Sequence, residues 1–262
     1  MITFSHVYKS FKGQKILNDL SFHVERGETF MIVGPSGTGK SVTLSHIIGL
    51  LKPDSGRITV DGLELGLLNK EGMRTLRKKV GMLFQGGALL NWMNIFDNVA
   101  LPLREGTKMT EKEIAEKVYA TLAVLGLENS ANKMPSEISG GMVKRAGLAR
   151  AMITEPEIML YDEPTSGLDP VMSRRIDSLI TEMKEKFSMT SVVVTHDLVS
   201  ALNAGDKIAM LSGGQVLECA PPEEFLRSKN IRVRQFIDSQ FSVKNNFAEI
   251  IREQKYKEME IK

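Results

Sequence analysis

The chain has 262 residues, 42% of them hydrophobic and 25% charged, with a formal net charge of +2. That length fits one large α/β domain with an insertion or two small domains, and the small net charge gives no electrostatic footprint for nucleic acid. A single cysteine, Cys219, excludes an intramolecular disulfide and fits a reducing cytosol. With no cationic-then-apolar leader and no run of about 18 apolar residues, any membrane contact is expected through another chain.

Taken in chain order, residues 2–8, 20–24 and 57–60 read as strands joined by short loops (Lys12-Gly13, Arg26-Gly27, Asp61-Gly62). They predict an antiparallel subsheet. A short apolar strand, Thr29–Val33, then runs into Gly34-Pro35-Ser36-Gly37-Thr38-Gly39-Lys40-Ser41, a complete fit to the phosphate-binding pattern G-x-x-x-x-G-K-[ST]. From Val42 the pattern turns helical. Glycines at 34, 37 and 39 let backbone N–H groups point inward around an anion at a helix N-terminus. Lys40 is placed to reach the β and γ phosphates and Ser41 to offer its hydroxyl to Mg²⁺. A nucleoside triphosphate is the expected ligand.

Further apolar runs at 80–84, 158–161, 191–195 and 208–211 alternate with helical patterns, predicting a parallel sheet with helices on both faces. Residues of roughly 88–155 interrupt this alternation as a helical insert. The run at 158 ends in Asp162-Glu163-Pro164. Asp162 at the strand end suits Mg²⁺, and Glu163 suits the general base that orients and deprotonates the attacking water. Beyond residue 241 a charged tail, 242–262, carries Phe247, Ile250 and Ile251 at helical spacing.

Three further elements fall in a fixed order around the phosphate loop: Gln85 after a strand, Thr165-Ser-Gly-Leu-Asp169-Pro170 after the carboxylates, and His196 at a strand end. Together they resemble the ATP-binding-cassette (ABC) ATPases over about residues 1–236. The resemblance implies an α/β P-loop NTPase (RecA-like) core with an N-terminal antiparallel β subdomain and an inserted α-helical subdomain, within a domain of residues 1–241. It implies ATP and Mg²⁺ as cofactors, and Gln85 on the γ-phosphate and metal side. It also implies His196 against the γ-phosphate, Asp169 at a dimer interface, and Phe11 or Tyr8 stacked on adenine.

The family's signature, Leu-Ser-Gly-Gly-Gln, occurs literally at 211–215 and in degenerate form at Ile138-Ser139-Gly140-Gly141-Met142. Context selects the second. Ser139 is a good N-cap, and Met142, Ala146, Ala149 and Ile153 follow as the stripe of an amphipathic helix. The literal copy lies between two strand-like runs, where Ser212-Gly213-Gly214 is hairpin chemistry. One phosphate loop and one signature per chain imply a head-to-tail homodimer with two composite sites.

Stretches 82–90, 96–105, 135–145 and 232–236 narrow the resemblance to the ATPases of mammalian-cell-entry (MCE) type lipid transporters. This implies integral membrane permease subunits, an MCE-domain lipid-binding protein and phospholipid traffic between inner and outer membranes. The ATPase would then sit at the cytoplasmic face of the inner membrane. Another cargo is the alternative, because such subunits do not touch the substrate. The apolar region 86–104 would receive a helix of the permease.

Overall fold

Alternating apolar residues put the first strands face-down on the core. In the computed structural model, which describes residues 1–241, β1 (Ile2–Phe11) buries Ile2, Phe4 and Val7. It pairs antiparallel with β2 (Gln14–Val24) across Lys12-Gly13, both left-handed, the backbone that a two-residue hairpin requires. β4 (Ser55–Val60) lies on the other edge of β1, and β5 (Leu63–Glu64) completes the order β2-β1-β4-β5. The strands outrun their predicted lengths at polar, exposed ends, such as the Gln14-Lys15 start of β2.

The larger sheet has the order β10-β9-β3-β8-β7-β6. β3 (Thr29–Val33), β6 (Val80–Leu83), β7 (Ile158–Asp162), β8 (Thr190–Val194) and β9 (Lys207–Ser212) run parallel. The hairpin expected at Ser212-Gly213-Gly214 adds one antiparallel edge to this parallel sheet. β10 (Gln215–Ala220) is antiparallel to β9, since a two-residue connection at Gly213-Gly214 can only return the chain beside itself.

The strand faces divide cleanly. Phe30, Ile32, Leu160, Val192 and Val194 face the antiparallel layer together with α1 (Lys40–Ile47) and α2 (Lys70–Lys78). The rings of Phe4, Phe22 and Phe30 stack there at centroid separations of 4.5 and 5.3 Å. Met31, Met159, Tyr161 and Val193 face the other way. They meet α6 (Pro170–Phe187), α7 (Leu198–Ala204), α8 (Pro222–Leu226) and α9 (Ile231–Phe241). Between β6 and β7 lie α3 (Ile95–Gly106), α4 (Glu111–Val124) and α5 (Gly140–Met152), the helical insert read from the sequence. Phe247, Ile250 and Ile251 lie outside the described residues.

Register decides what comes next. Ile32 and Asp162 both pair with Val194, so the carboxyl ends of β3, β7 and β8 release their loops side by side. That is where ligands bind in open α/β sheets.

Candidate functional site

β3 delivers the chain to Gly34, whose φ of 146° and contact with the Leu211 carbonyl leave no room for a side chain. α1 then opens at Lys40 with no side-chain cap, so its first N–H groups remain available to an anion. Lys40 is 6% exposed, and its Nζ donates to the carbonyls of Gly34 (2.9 Å) and Pro35 (3.1 Å). Burial holds its pKa below the ordinary lysine range, against the pull of Glu163 and Asp162. Thr38 closes the loop through Oγ1 to the Pro35 carbonyl, 2.9 Å.

The Ser41 hydroxyl donates to Asp162 Oδ1 at 2.8 Å, joining α1 to the end of β7. Burial raises the Asp162 carboxyl, and the Ser41 hydrogen bond opposes that shift. Glu163, next along, adopts a left-handed φ of 51°, a costly conformation for a non-glycine residue. Its N–H donates to the Val194 carbonyl at 2.9 Å, Oε2 lies 2.7 Å from His196 Nδ1, and Oε1 lies 3.9 Å from Lys40 Nζ. A cleft of about 410 Å³ is lined by Phe11, Ser36, Gly37, Gly39, Lys40, Ser41, Val42, Gln85 and Glu163, with Ile16.

Among the described residues no group of three His, Cys, Asp or Glu side chains is placed to hold a metal. Ser41, Asp162 and the exposed Gln85 instead offer hydroxyl, carboxylate and amide oxygens. This hard donor set suits Mg²⁺, which keeps waters and phosphate oxygens for the rest of its shell.

Gln85 opens the segment that links this cleft to the helical insert. Gly147 in α5 permits the approach: a Cβ there would stand 2.7 Å from the Gly87 carbonyl, to which Arg150 Nη2 also donates at 3.2 Å. Further on, buried Asn98 accepts from Leu90 N and donates to the carbonyls of Leu90, Met93 and Asn94. Ile95 and Val99 belong to the core, Leu89 and Phe96 pack against it, and Trp92 stands 75% exposed.

Ser139, Gly140 and Asp169 do not line the cleft of their own chain. Ser139 caps α5, its Oγ accepting from Met142 N at 3.3 Å. Gly141, buried one residue into the helix, faces Met172 and Leu168, which an added Cβ would meet at 3.3 and 3.7 Å. Asp169 caps α6, Oδ1 accepting from Val171 and Met172 N–H groups, both at 3.0 Å. The literal Leu-Ser-Gly-Gly-Gln copy forms the β9–β10 hairpin, as its glycines require. Its strand end is nonetheless close to the phosphate loop, through the Leu211 contact with Gly34.

Two features escaped the sequence reading. Lys144 is buried and donates to the carbonyls of Glu163 (3.4 Å) and Ser166. Its signal was available as a lysine on the buried Gly141–Lys144–Leu148 stripe of α5. The second feature supports the His196 turn. Asp197 caps α7, and Ser200 Oγ lies 2.9 Å from Asp177 Oδ2 and 3.2 Å from Asp197 Oδ2. One hydroxyl proton cannot serve both carboxylates. Burial, reinforced by Asp197, pushes Asp177 up to about 6, so a protonated Asp177 can donate to Ser200 while Ser200 donates to Asp197. Because this pKa is raised above its unfolded value, the stability it contributes is full below about pH 4 and lost as pH rises through about 6. Asp177→Asn should flatten that part of the stability profile, read by denaturant melts between pH 4 and 7. An unchanged slope would remove Asp177 as its source.

The sequence profile described as "ABC transporter" matches residues 17–166. The chain is 43% identical over 230 residues to the probable ribonucleotide transport ATP-binding protein mkl of Mycobacterium tuberculosis, covering 88% of this chain but 64% of that protein. It is 40% identical over 227 residues to the intermembrane phospholipid transport system ATP-binding protein MlaF of Haemophilus influenzae, covering 86% of each. A dimeric ATP-binding cassette solved in a post-hydrolysis state with ADP and Pi superposes with a TM-score of 0.79 at 32% identity, over 85% of this chain and 99% of that one. A profile match through the phosphate loop and both carboxylates, joined to relatives of this identity along most of the chain, places it in the ABC transporter family.

Proposed function

We propose that this chain is the ATP-hydrolysing, nucleotide-binding subunit of a transporter that moves phospholipid between membranes. The meeting of Lys40, Ser41, Gln85 and Glu163 on one cleft, with Asp162 bonded to Ser41 and His196 to Glu163, carries the ATPase reading. Residues 1–241 form its ATPase domain, with residues of about 88–155 as helical subdomain.

ATP lies on the 34–42 backbone with Phe11, which lines the cleft, stacked on adenine. Lys40 exchanges its loop carbonyls for the β and γ phosphates, an exchange of neutral for charge-assisted hydrogen bonds. Ser41, Asp162 and Gln85 hold Mg²⁺, which when bound spreads the developing phosphate charge. Glu163 orients the attacking water and takes its proton, and His196 steadies both the Glu163 carboxylate and the γ-phosphate side.

The signature cannot complete this cleft in cis, since Ser139 and Gly140 lie off it. A head-to-tail homodimer supplies the partner subunit's Ser139, Gly140 and Gly141 to the γ-phosphate, with Asp169 at the interface. Hydrolysis removes that bridge and opens the pair. Chemistry becomes motion.

Among the described residues no helix is long and apolar enough to cross a membrane, so the motion acts on integral permease subunits. Exposed Trp92, on the same segment as the half-buried Leu89 and Phe96, offers the docking surface. The subunit then sits at the cytoplasmic face of the inner membrane, with an MCE-domain protein as the lipid-binding partner. The names of the two relatives carry different cargoes, ribonucleotide and phospholipid. Phospholipid is preferred because the match to MlaF runs along 86% of both chains, whereas the match to mkl spans 64% of that protein. Affinity purification of the full chain from its membrane should bring down a permease and an MCE-domain protein, and the complex should extract labelled phospholipid from vesicles on ATP addition. A permease without an MCE protein, and no lipid movement, would overturn the lipid assignment and leave the ATPase standing.

A further inference from the structure

Glu163 is held in its left-handed conformation from three directions. β8 takes its N–H through the Val194 carbonyl, His196 takes its carboxylate, and α5 takes its carbonyl through Lys144. The third anchor is unusual in chemistry. Lys144 is 7% exposed, yet its ammonium meets main-chain oxygens, those of Glu163 and Ser166. Taking a charged group from water and placing it on neutral carbonyls carries a desolvation cost, which the nearby Glu163 charge opposes. It fastens both ends of the 163–166 turn to α5, while Gly141 on the same helix faces Leu168 just beyond that turn, where an added Cβ would make contact at 3.7 Å.

We infer that Lys144 is a positioning residue for hydrolysis, through which α5 sets the backbone, and so the carboxylate direction, of Glu163 in its own chain. This rests on the composite-dimer reading above, in which the first turn of the same α5 serves the partner's nucleotide. α5 then touches both sites at once: Ser139 in trans, and Lys144, just over a turn further along, in cis. A shift of α5 as a signature engages phosphate would be felt at its own chain's base.

Lys144→Met keeps stem length and apolar packing and removes the donor. In the full chain, purified with its membrane partners, it should lower kcat by about ten- to a hundredfold, the scale on which misplaced catalytic groups lose rate. KM for ATP should stay within about threefold, since the phosphate loop is untouched. Lys144→Arg should regain most of the rate. If Lys144→Met does not fold, Lys144→Gln, which keeps a donor on a shorter stem, must show the same split between kcat and KM.

Mixed dimers separate positioning in cis from general damage to α5. A subunit carrying Ser139→Arg paired with one carrying Lys144→Met retains one site with an intact base facing an intact signature, so about half of wild-type activity is expected if sites act independently. The control pairs Ser139→Arg with Lys40→Ala, which also leaves one complete site. Activity in the control together with a dead Lys144→Met pair would overturn the inference, because Lys144 would then be acting on the signature. Unchanged kcat in Lys144→Met would overturn it as well. A dead control would instead show that one complete site cannot turn over alone, and the kcat loss in the homodimer with Arg rescue would still decide whether Lys144 positions Glu163.

Discussion

Glu163→Gln is expected to retain ATP binding and to lose about 10²–10⁴ in turnover, the usual contribution of a general base. The substitution keeps the shape of the side chain and an oxygen that can accept from His196, now 2.7 Å away. It removes the negative charge that lies 3.9 Å from Lys40 Nζ, but Lys40 keeps its carbonyl partners in the free protein. Binding should therefore survive, and the ATP-bound dimer should accumulate because the step that opens it has gone. Calorimetric ATP affinity, single-turnover rate and dimer fraction by size exclusion in ATP test the three parts. Turnover near the wild-type rate would show that another group deprotonates water.

The second large effect separates the two copies of the signature string. Ser139→Arg should abolish hydrolysis while a single subunit still binds ATP, since a bulky cation would replace the exposed cap of α5 and nothing on the Lys40 side changes. Loss of the cap itself costs only about 0.5–2 kcal/mol of stability, too little to unfold an ordinary domain. Gln215→Arg, in the literal copy, should leave activity within a few-fold, because Gln215 is exposed on the β9–β10 hairpin and such changes stay within about ±0.5 kcal/mol. ATPase rates and ATP affinities of both variants settle the assignment. If Gln215→Arg kills the enzyme and Ser139→Arg does not, the signature lies at 211–215 and the dimer geometry must be redrawn.

The difference between those copies was legible before any tertiary structure, because it is a local matter. Two glycines between strand-like runs make a hairpin, and a serine before an apolar stripe of period 3.6 caps a helix. The same locality made the phosphate loop, the strand ending at Asp162-Glu163 and the helical insert readable: each is specified by backbone propensity and side-chain period within about ten residues. Interrupted patterns were harder. The Gln14–Asp19 half of β2, where Leu17 alone is buried, and the two-residue β5 carry too little alternation to announce themselves.

What the sequence determined by itself, then, was the set of candidate groups: the nest at 34–41, the acids at 162 and 163, Gln85, His196 and the capped helix at Ser139. Only the tertiary structure decided how they meet. Strand order and register belong to contacts between distant segments, so nothing local could place Ser41 Oγ 2.8 Å from Asp162 or His196 against Glu163. Nor could it say that Ser139 and Asp169 lie off the cleft of their own chain. Lys144 shows the limit most plainly. Along the sequence it is one basic residue in a helix, and it gains a role only because folding carries α5 over the end of β7, where its ammonium, shut away from water, must find partners in the carbonyls of the Glu163 turn.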